Sequence, residues 1–90
     1  MERRSFTWKD GIWVEGNQPM LGPMSHAWWM ASSVFDGARA FQQLAPDLDR
    51  HCARLIESGK AFHMSSPIST DEMIALAWEG IEKFSEVDEL

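Results

Sequence analysis

Two short β-prone runs open the chain and predict a β-hairpin. They are residues 6–9, Phe-Thr-Trp-Lys, and residues 12–15, Ile-Trp-Val-Glu, separated by Asp10-Gly11. Asp-Gly is favoured in two-residue hairpin turns because both residues tolerate a positive φ. The connection that follows, residues 16–23, contains two prolines, which cannot donate to a sheet ladder. That connection is therefore predicted to be irregular.

A third β-strand is predicted between Ser33 and Leu44, where apolar and polar residues alternate for part of the run. Successive side chains of a strand point to opposite faces, so the two parities of this run should separate. One parity comprises Val34, Asp36, Ala38 and Ala40, and the other comprises Phe35, Gly37, Arg39 and Phe41.

Two amphipathic helices are predicted after Pro46. Asp47 or Asp49 can cap the first helix, and Ser69 with Glu72 forms a capping box at the start of the second. The apolar residues of both recur at three- and four-residue steps, as expected for one buried helical face. They are Leu48, Cys52, Leu55, Ile56, Gly59 and Phe62 in the first helix, and Ile74, Ala77, Trp78, Ile81 and Phe84 in the second.

The order hairpin, strand, helix, helix predicts an α+β fold in which two helices cover a small, mostly antiparallel sheet. Ninety residues form at most one domain. Five tryptophans and five phenylalanines are a heavy apolar load for this length, so we expect part of the surface to be normally covered. A three-stranded sheet is near the lower limit of stability, and residues following Leu90 are expected to supply more strands.

The charge and the cysteine content narrow the class of protein. The formal net charge is −6, with acidic residues concentrated after residue 70, which argues against binding to a nucleic-acid backbone. No apolar run approaches membrane length and no signal-peptide pattern is present, so no membrane partner is expected. The single cysteine, Cys52, excludes an internal disulfide and favours a cytoplasmic location.

A metal site and a nucleophilic thiol are both weak interpretations of this sequence. The histidines and the cysteine show no paired-ligand spacing, so no zinc site is expected at His26, His51, Cys52 or His63. Cys52 lies on the apolar stripe of the first predicted helix, which favours a buried and inert thiol.

Arginines and tryptophans each leave two interpretations open. Arg39 and Arg54 near one sheet could form an anion site, because a guanidinium matches phosphate or carboxylate. Both could instead be solvated or paired with Asp36, Asp47 or Asp49, which spacing alone favours. The tryptophans could form a ligand platform, although core or interface packing is commoner. They are Trp8, Trp13, Trp28 and Trp29.

Four motifs occur in order along the chain. They are Met-Ser-His-Ala at residues 24–27, Ser-Val-Phe-Asp-Gly-Ala-Arg-Ala-Phe at 33–41, Leu-Asp-Arg-His-Cys-Ala-Arg-Leu at 48–55 and Ser-Gly-Lys at 58–60. This series resembles the class IV aminotransferases, whose branched-chain members carry S-H-x-L-H-Y-G, V-F-E-G-I-R-x-Y, L-x-x-H-x-x-R-L and S-A-K at similar spacing. The resemblance implies a two-domain enzyme of fold-type IV, usually a homodimer, with pyridoxal 5'-phosphate (PLP) between the domains. Residues 1–90 would be part of the N-terminal small domain.

The resemblance also implies roles for individual residues. Arg54 falls on the arginine that binds the cofactor phosphate, and Phe35, Gly37 and Arg39 fall on positions that line the substrate side of the pocket. Met30 stands where branched-chain enzymes have a tyrosine beside the cofactor, within Trp-Trp-Met-Ala at residues 28–31. Branched-chain preference therefore does not carry over directly, and a D-amino acid, an amine or aminodeoxychorismate remains open.

The implied reaction is PLP-dependent transamination of amino acids to 2-oxo acids, for which this chain holds no catalytic residue. Lys60 belongs to the S-A-K motif, and the Schiff-base lysine and the acidic partner of the pyridine nitrogen are expected in a large domain absent from residues 1–90. Two alternatives are kept: an aminodeoxychorismate lyase-like PLP enzyme, and a non-catalytic interaction or dimerisation module.

Overall fold

The computed structural model describes residues 3–85 and 88–90. Its elements in chain order are β1 (Phe6–Lys9), β2 (Ile12–Glu15), α1 (His26–Met30), α2 (Leu48–Ala61) and α3 (Thr70–Ile81). The predicted α+β class is confirmed. The chain divides into two compact units, Met1–Ala31 and Ser32–Leu90, so that the strands and α1 lie in the first unit and α2 and α3 in the second.

The predicted hairpin is confirmed in position and in turn chemistry. β1 and β2 pair antiparallel, with Trp8 directly opposite Trp13. Asp10 and Gly11 have φ values of 52° and 85°, and positive φ at both central residues is the requirement of a type I′ turn. The backbone twist of this turn matches that of the strands, which explains why a two-residue loop suffices.

The irregular connection after β2 is also confirmed and is held by hydrogen bonds back to the hairpin. The backbone amide of Gly16 donates to the carbonyl of Ser5 at 2.8 Å, and the Thr7 hydroxyl donates to the carbonyl of Gly16 at 2.9 Å. Lys9 Nζ donates to the carbonyl of Pro19 at 3.0 Å. These bonds satisfy carbonyls that have no ladder partner.

Helix α1 was not predicted from the sequence. It spans five residues and has no side-chain cap at Ser25, and Ala31 ends it in the left-handed conformation at φ 52°. Apolar periodicity needs several turns to become visible, and α1 has fewer than two. Its residues Trp28, Trp29 and Met30 are all exposed.

The predicted third strand is wrong. Among the described residues, the run from 32 to 40 joins no sheet, and Gln42 and Gln43, with φ values of 49° and 62°, form a tight turn that ends it. A strand requires a hydrogen-bonded partner along its length. Among the described residues of this run, only Ala40 exchanges both backbone hydrogen bonds with one residue outside it. The amide of Ala40 donates to the carbonyl of Leu90 at 3.0 Å, and the amide of Leu90 donates to the carbonyl of Ala40 at 2.8 Å.

The alternation that suggested the strand is nevertheless visible in the burial of its side chains. Val34 and Asp36 are half-buried and Ala40 is buried, whereas Phe35, Gly37 and Arg39 are exposed. Ala38 is the exception, because it is exposed despite its parity. The sequence therefore largely predicted which side chains of this run are buried, but it did not predict that the run joins no sheet.

The first predicted helix is confirmed as α2, with two corrections. Asp47 is the N-cap, but its backbone is left-handed at φ 56° and its side chain makes no capping hydrogen bond. Phe62 follows the helix and is exposed, so it does not extend the buried face. Leu48, Cys52 and Gly59 form the buried residues of α2.

Helix α3 packs against α2 and begins as predicted. The amide of Glu72 donates to the Ser69 hydroxyl at 3.1 Å, and the amide of Ser69 donates to the Glu72 carboxylate at 3.2 Å. This reciprocal pair is a complete capping box. The helix ends at Ile81, so the predicted extension of its stripe to Phe84 is wrong.

The buried apolar core of the described residues is small. It consists of Ala40 at the end of the 32–40 run and of Leu48 and Cys52 in α2. Phe35, by contrast, is 94% exposed. The expectation that part of this surface is normally covered stays a prediction. Within residues 3–85 and 88–90, no helix has the length and apolar character to cross a membrane.

Replacing Ser69 by Ala should lower the free energy of unfolding by about 1 kcal/mol, because it removes the hydroxyl that caps α3. Urea denaturation followed by far-UV circular dichroism measures this change. Ser69→Thr keeps the capping oxygen and should lose less than half as much. An equal loss in both variants would contradict the capping role.

Candidate functional site

A bidentate ion pair joins Arg54 of α2 to Asp36 of the 32–40 run. Arg54 Nε donates to Asp36 Oδ2 at 2.5 Å, and Arg54 Nη2 donates to Oδ1 at 2.7 Å. Two parallel charge-assisted bonds fix the plane of the guanidinium as well as its position. The interpretation that Arg54 pairs with Asp36, left open by the sequence, is thereby confirmed.

His51 completes this cluster from the preceding turn of α2. Its Nδ1 lies 2.6 Å from Asp36 Oδ1. Since an ionised Asp36 can only accept hydrogen bonds, we assign the proton to Nδ1, which then donates. Arg54 Nη2 lies 2.9 Å from the same Nδ1, because both nitrogens converge on one carboxylate oxygen.

Exposure and charge differ sharply within the Asp36–His51–Arg54 cluster. The Asp36 side chain is 8% exposed, while that of Arg54 is 63% exposed. Hydrogen bonds from Arg54 first, and from His51 second, hold the pKa of the Asp36 carboxyl well below its usual range. The bond to Asp36 in turn raises the pKa of Arg54. Asp36 is therefore a fixed negative charge at neutral pH.

Arg54 keeps one edge for another ligand. A guanidinium carries five N–H donors, and Asp36 occupies those on the edge formed by Nε and Nη2. The edge formed by Nη1 and the outer hydrogen of Nη2 is turned away from this carboxylate. An anion can bind there without displacing Asp36, so the predicted phosphate contact of Arg54 is compatible with the ion pair and stays a prediction.

The predicted pocket residues Phe35, Gly37 and Arg39 lie together on the exposed parity of the 32–40 run. A Cβ built on Gly37 would meet no atom within 4 Å, so the space above it is open. The Arg39 guanidinium lies over the ring of Phe41, 5.5 Å from its centroid. Met30, the fourth predicted pocket residue, ends α1 in the first unit and is exposed.

Comparison with known proteins places this geometry in context. No family model matches the chain. A solved structure of an aminotransferase from Brucella abortus, bound to the cofactor PLP, superposes with a TM-score of 0.92 and 42% identity over 97% of this chain. The resemblance to aminotransferases is confirmed. The chain spans 31% of that structure's length.

Two curated relatives bear the same activity in their names. The protein of Rickettsia typhi named "Probable branched-chain-amino-acid aminotransferase" is 30% identical over 69 residues, which is 77% of this chain. The protein of that name from Rickettsia conorii is 33% identical over 68 residues, or 70% of this chain. The chain spans about a quarter of the length of these aminotransferases, 24% and 23% respectively.

Lys60, the lysine of the Ser-Gly-Lys motif, forms an ion pair on the surface of α2. Its Nζ donates to Glu57 Oε1 at 3.0 Å on the surface of α2, and both side chains are exposed. An exposed pair of this kind belongs to the solvated face of a helix. That Lys60 has no catalytic role stays a prediction.

Two residues of the cluster were not singled out from the sequence for a site role. Asp36 entered only as one of three acidic residues that could pair with Arg54, and His51 only as an improbable zinc ligand. The available signal was spacing: His51 and Arg54 are three residues apart, which places them on one face of a helix. Within the described residues, no group of three or more potential metal ligands occurs.

Cys52 is buried as predicted, and this burial, followed by the charges of Asp36 and Asp49, raises the pKa of its thiol. In the native protein the thiol should therefore react with an aromatic disulfide reagent at pH 8 on the order of tenfold or more slowly than in urea. The native rate should rise with pH as the thiolate forms. Rapid stoichiometric reaction in the native state would contradict the burial.

Proposed function

We propose that this chain is part of the N-terminal small domain of a class IV, PLP-dependent aminotransferase that converts amino acids to 2-oxo acids. One observation carries the proposal. Arg54 is held along its Nε–Nη2 edge by a carboxylate that is only 8% exposed, and its own side chain is 63% exposed, in a chain that superposes on a PLP-bound aminotransferase. A fixed and half-open guanidinium is a suitable partner for a phosphate group.

The residues present fit the phosphate end of PLP. The Nη1–Nη2 edge of Arg54 can donate two charge-assisted hydrogen bonds. The bond from Arg54 to Asp36, whose carboxylate His51 also contacts, already fixes the orientation of the guanidinium. Arg54 would hold the phosphate and so position the cofactor ring. The cofactor, when bound, supplies the electron-withdrawing ring that allows proton transfer at the substrate Cα.

The substrate side of the site would be formed by the exposed parity of the 32–40 run. Gly37 leaves open space for close approach of a ligand, and Arg39 offers a positive charge for a substrate carboxylate. Phe35 supplies an apolar wall. Met30 is kept as a proposed pocket residue on the family resemblance alone. The catalytic lysine and the acid that protonates the pyridine nitrogen would lie in the large domain, outside residues 1–90.

The substrate class follows from the named relatives more than from this chain's residues. Both Rickettsia proteins are named for branched-chain amino acids, which supports such substrates with their 2-oxo acids. The enzyme would act as a homodimer, as the family resemblance implies, and its single cysteine favours a cytoplasmic location. Each unit has exposed apolar side chains, Trp28 and Trp29 in the first and Phe35 in the second, and this exposure is consistent with cover by the large domain or a second subunit.

Borohydride reduction of the full-length protein, followed by intact-mass measurement, tests this proposal directly. A mass increase of one reduced PLP per chain, together with 2-oxo acid formation from a branched-chain donor, is expected. PLP binding with pyruvate release from aminodeoxychorismate would favour the lyase alternative. Absence of an adduct, with concentration-dependent self-association, would favour an interaction module and contradict the enzyme.

In the full-length protein, Arg54→Ala should weaken PLP retention about 10- to 100-fold, because a charged hydrogen-bond donor to the phosphate is lost. Equilibrium dialysis with absorbance of the cofactor measures the change. Arg54→Lys keeps the charge without the fork and should recover only part of it. Arg50→Ala is the matched control, since Arg50 is an exposed arginine of the same helix. Unchanged retention in Arg54→Ala would remove Arg54 from the site.

Gly37→Val should leave the free energy of unfolding within about 0.5 kcal/mol of the original, because nothing lies within 4 Å of the added Cβ. It should raise KM for the amino donor roughly tenfold by narrowing the substrate side of the pocket. Gly37→Ala should give an intermediate KM. Unchanged kinetics in a stable Gly37→Val variant would place this residue outside the pocket.

A further inference from the structure

We propose that Asp36, supported by His51, is a positioning residue that sets the orientation of Arg54 for a phosphate group. This inference rests on the proposed function of Arg54 and adds a role for two residues that touch neither cofactor nor substrate in that proposal. It is carried by the side-on geometry of the ion pair and by the burial of the carboxylate.

The ion pair determines which donors of Arg54 remain available. Both Asp36 oxygens are engaged, one by Nε and one by Nη2, so the guanidinium plane contains the carboxylate. Only the edge formed by Nη1 and Nη2 can then meet a second anion. A phosphate is therefore approached end-on by two parallel N–H groups rather than by a freely rotating side chain.

Asp36 can orient the Arg54 guanidinium because its own carboxylate is held in place. Its side chain is 8% exposed, and its Oδ1 also accepts a hydrogen bond from His51 Nδ1 at 2.6 Å. His51 and Arg54 lie three residues apart on α2, so the carboxylate joins two side chains of one rigid helix face to the 32–40 run. The three side chains hold one another in a single arrangement.

Two possible roles of Asp36, positioning Arg54 and competing with phosphate for it, predict opposite effects of removing Asp36 on the affinity for phosphate. A carboxylate that competed with phosphate for the same donors would weaken anion binding, and its removal would increase affinity. Here Asp36 binds Nε and Nη2 and leaves Nη1 to another ligand, and it removes rotamer freedom that a long side chain would otherwise lose on binding. We therefore expect removal of Asp36 to decrease affinity.

The test compares PLP with pyridoxal, which lacks the phosphate, in the full-length protein. Asp36→Asn should raise the dissociation constant for PLP on the order of tenfold and leave that for pyridoxal unchanged. Asp36→Glu, which keeps the carboxylate, should recover part of the loss. The matched control is Asp49→Asn, an exposed acidic residue of α2. A purely structural role would weaken both ligands equally, and tighter PLP binding would show competition; either result overturns the proposal.

A double-mutant cycle separates this inference from the proposed function. If Asp36 acts through Arg54, Asp36→Asn should have no further effect on PLP affinity in the Arg54→Ala background. His51→Asn, whose amide can replace Nδ1 as donor, should retain more affinity than His51→Ala. Independent, additive effects of the two changes would overturn the positioning role. A wild-type affinity in Arg54→Ala itself would instead overturn the phosphate contact on which it rests.

Discussion

The carboxylate of Asp36 is the charge on which the second unit depends. A buried ionised group is costly unless it is paired and hydrogen-bonded, and here Arg54 and His51 together satisfy both oxygens. These bonds join the 32–40 run to α2, and Ala40, Leu48 and Cys52 are the buried apolar side chains of the described residues. Because so little apolar surface is buried there, this polar contact helps to hold the run against α2, a role that apolar packing has in larger domains.

The same contact determines which face of the run remains open. Side chains alternate along an extended chain, so a carboxylate turned towards α2 requires its neighbours Phe35 and Gly37 to turn away. The proposed phosphate contact and the proposed substrate face are therefore not independent features. The orientation of Asp36 bears on both, since its carboxylate holds Arg54 while its neighbours Phe35 and Gly37 are exposed.

Local rules predicted the parts of this fold that local interactions build. The Asp10-Gly11 turn and the Ser69 capping box each depend on a few adjacent residues, and both were predicted correctly from the sequence. The prediction of a third strand was wrong because pairing depends on two segments, and only one of them could be recognised in the sequence. The partner of Arg54 was undecided for the same reason, since three acidic residues lay within reach along the chain. The order of the motifs, by contrast, predicted the aminotransferase resemblance, because it compares four segments between residues 24 and 60 at once.

Position 54 illustrates why an arginine, and not merely a positive charge, suits this site. A lysine ammonium is a compact point charge, and a carboxylate at hydrogen-bond distance would neutralise it and occupy its most favourable side. A guanidinium spreads its charge over a plane with separate edges, so one edge can be bound by Asp36 while the other stays available. The apparent conflict between an acidic neighbour and a phosphate ligand is thereby removed. In the proposed site the carboxylate and a bound phosphate would be two ligands of one planar group, and each would make the geometry of the other more definite.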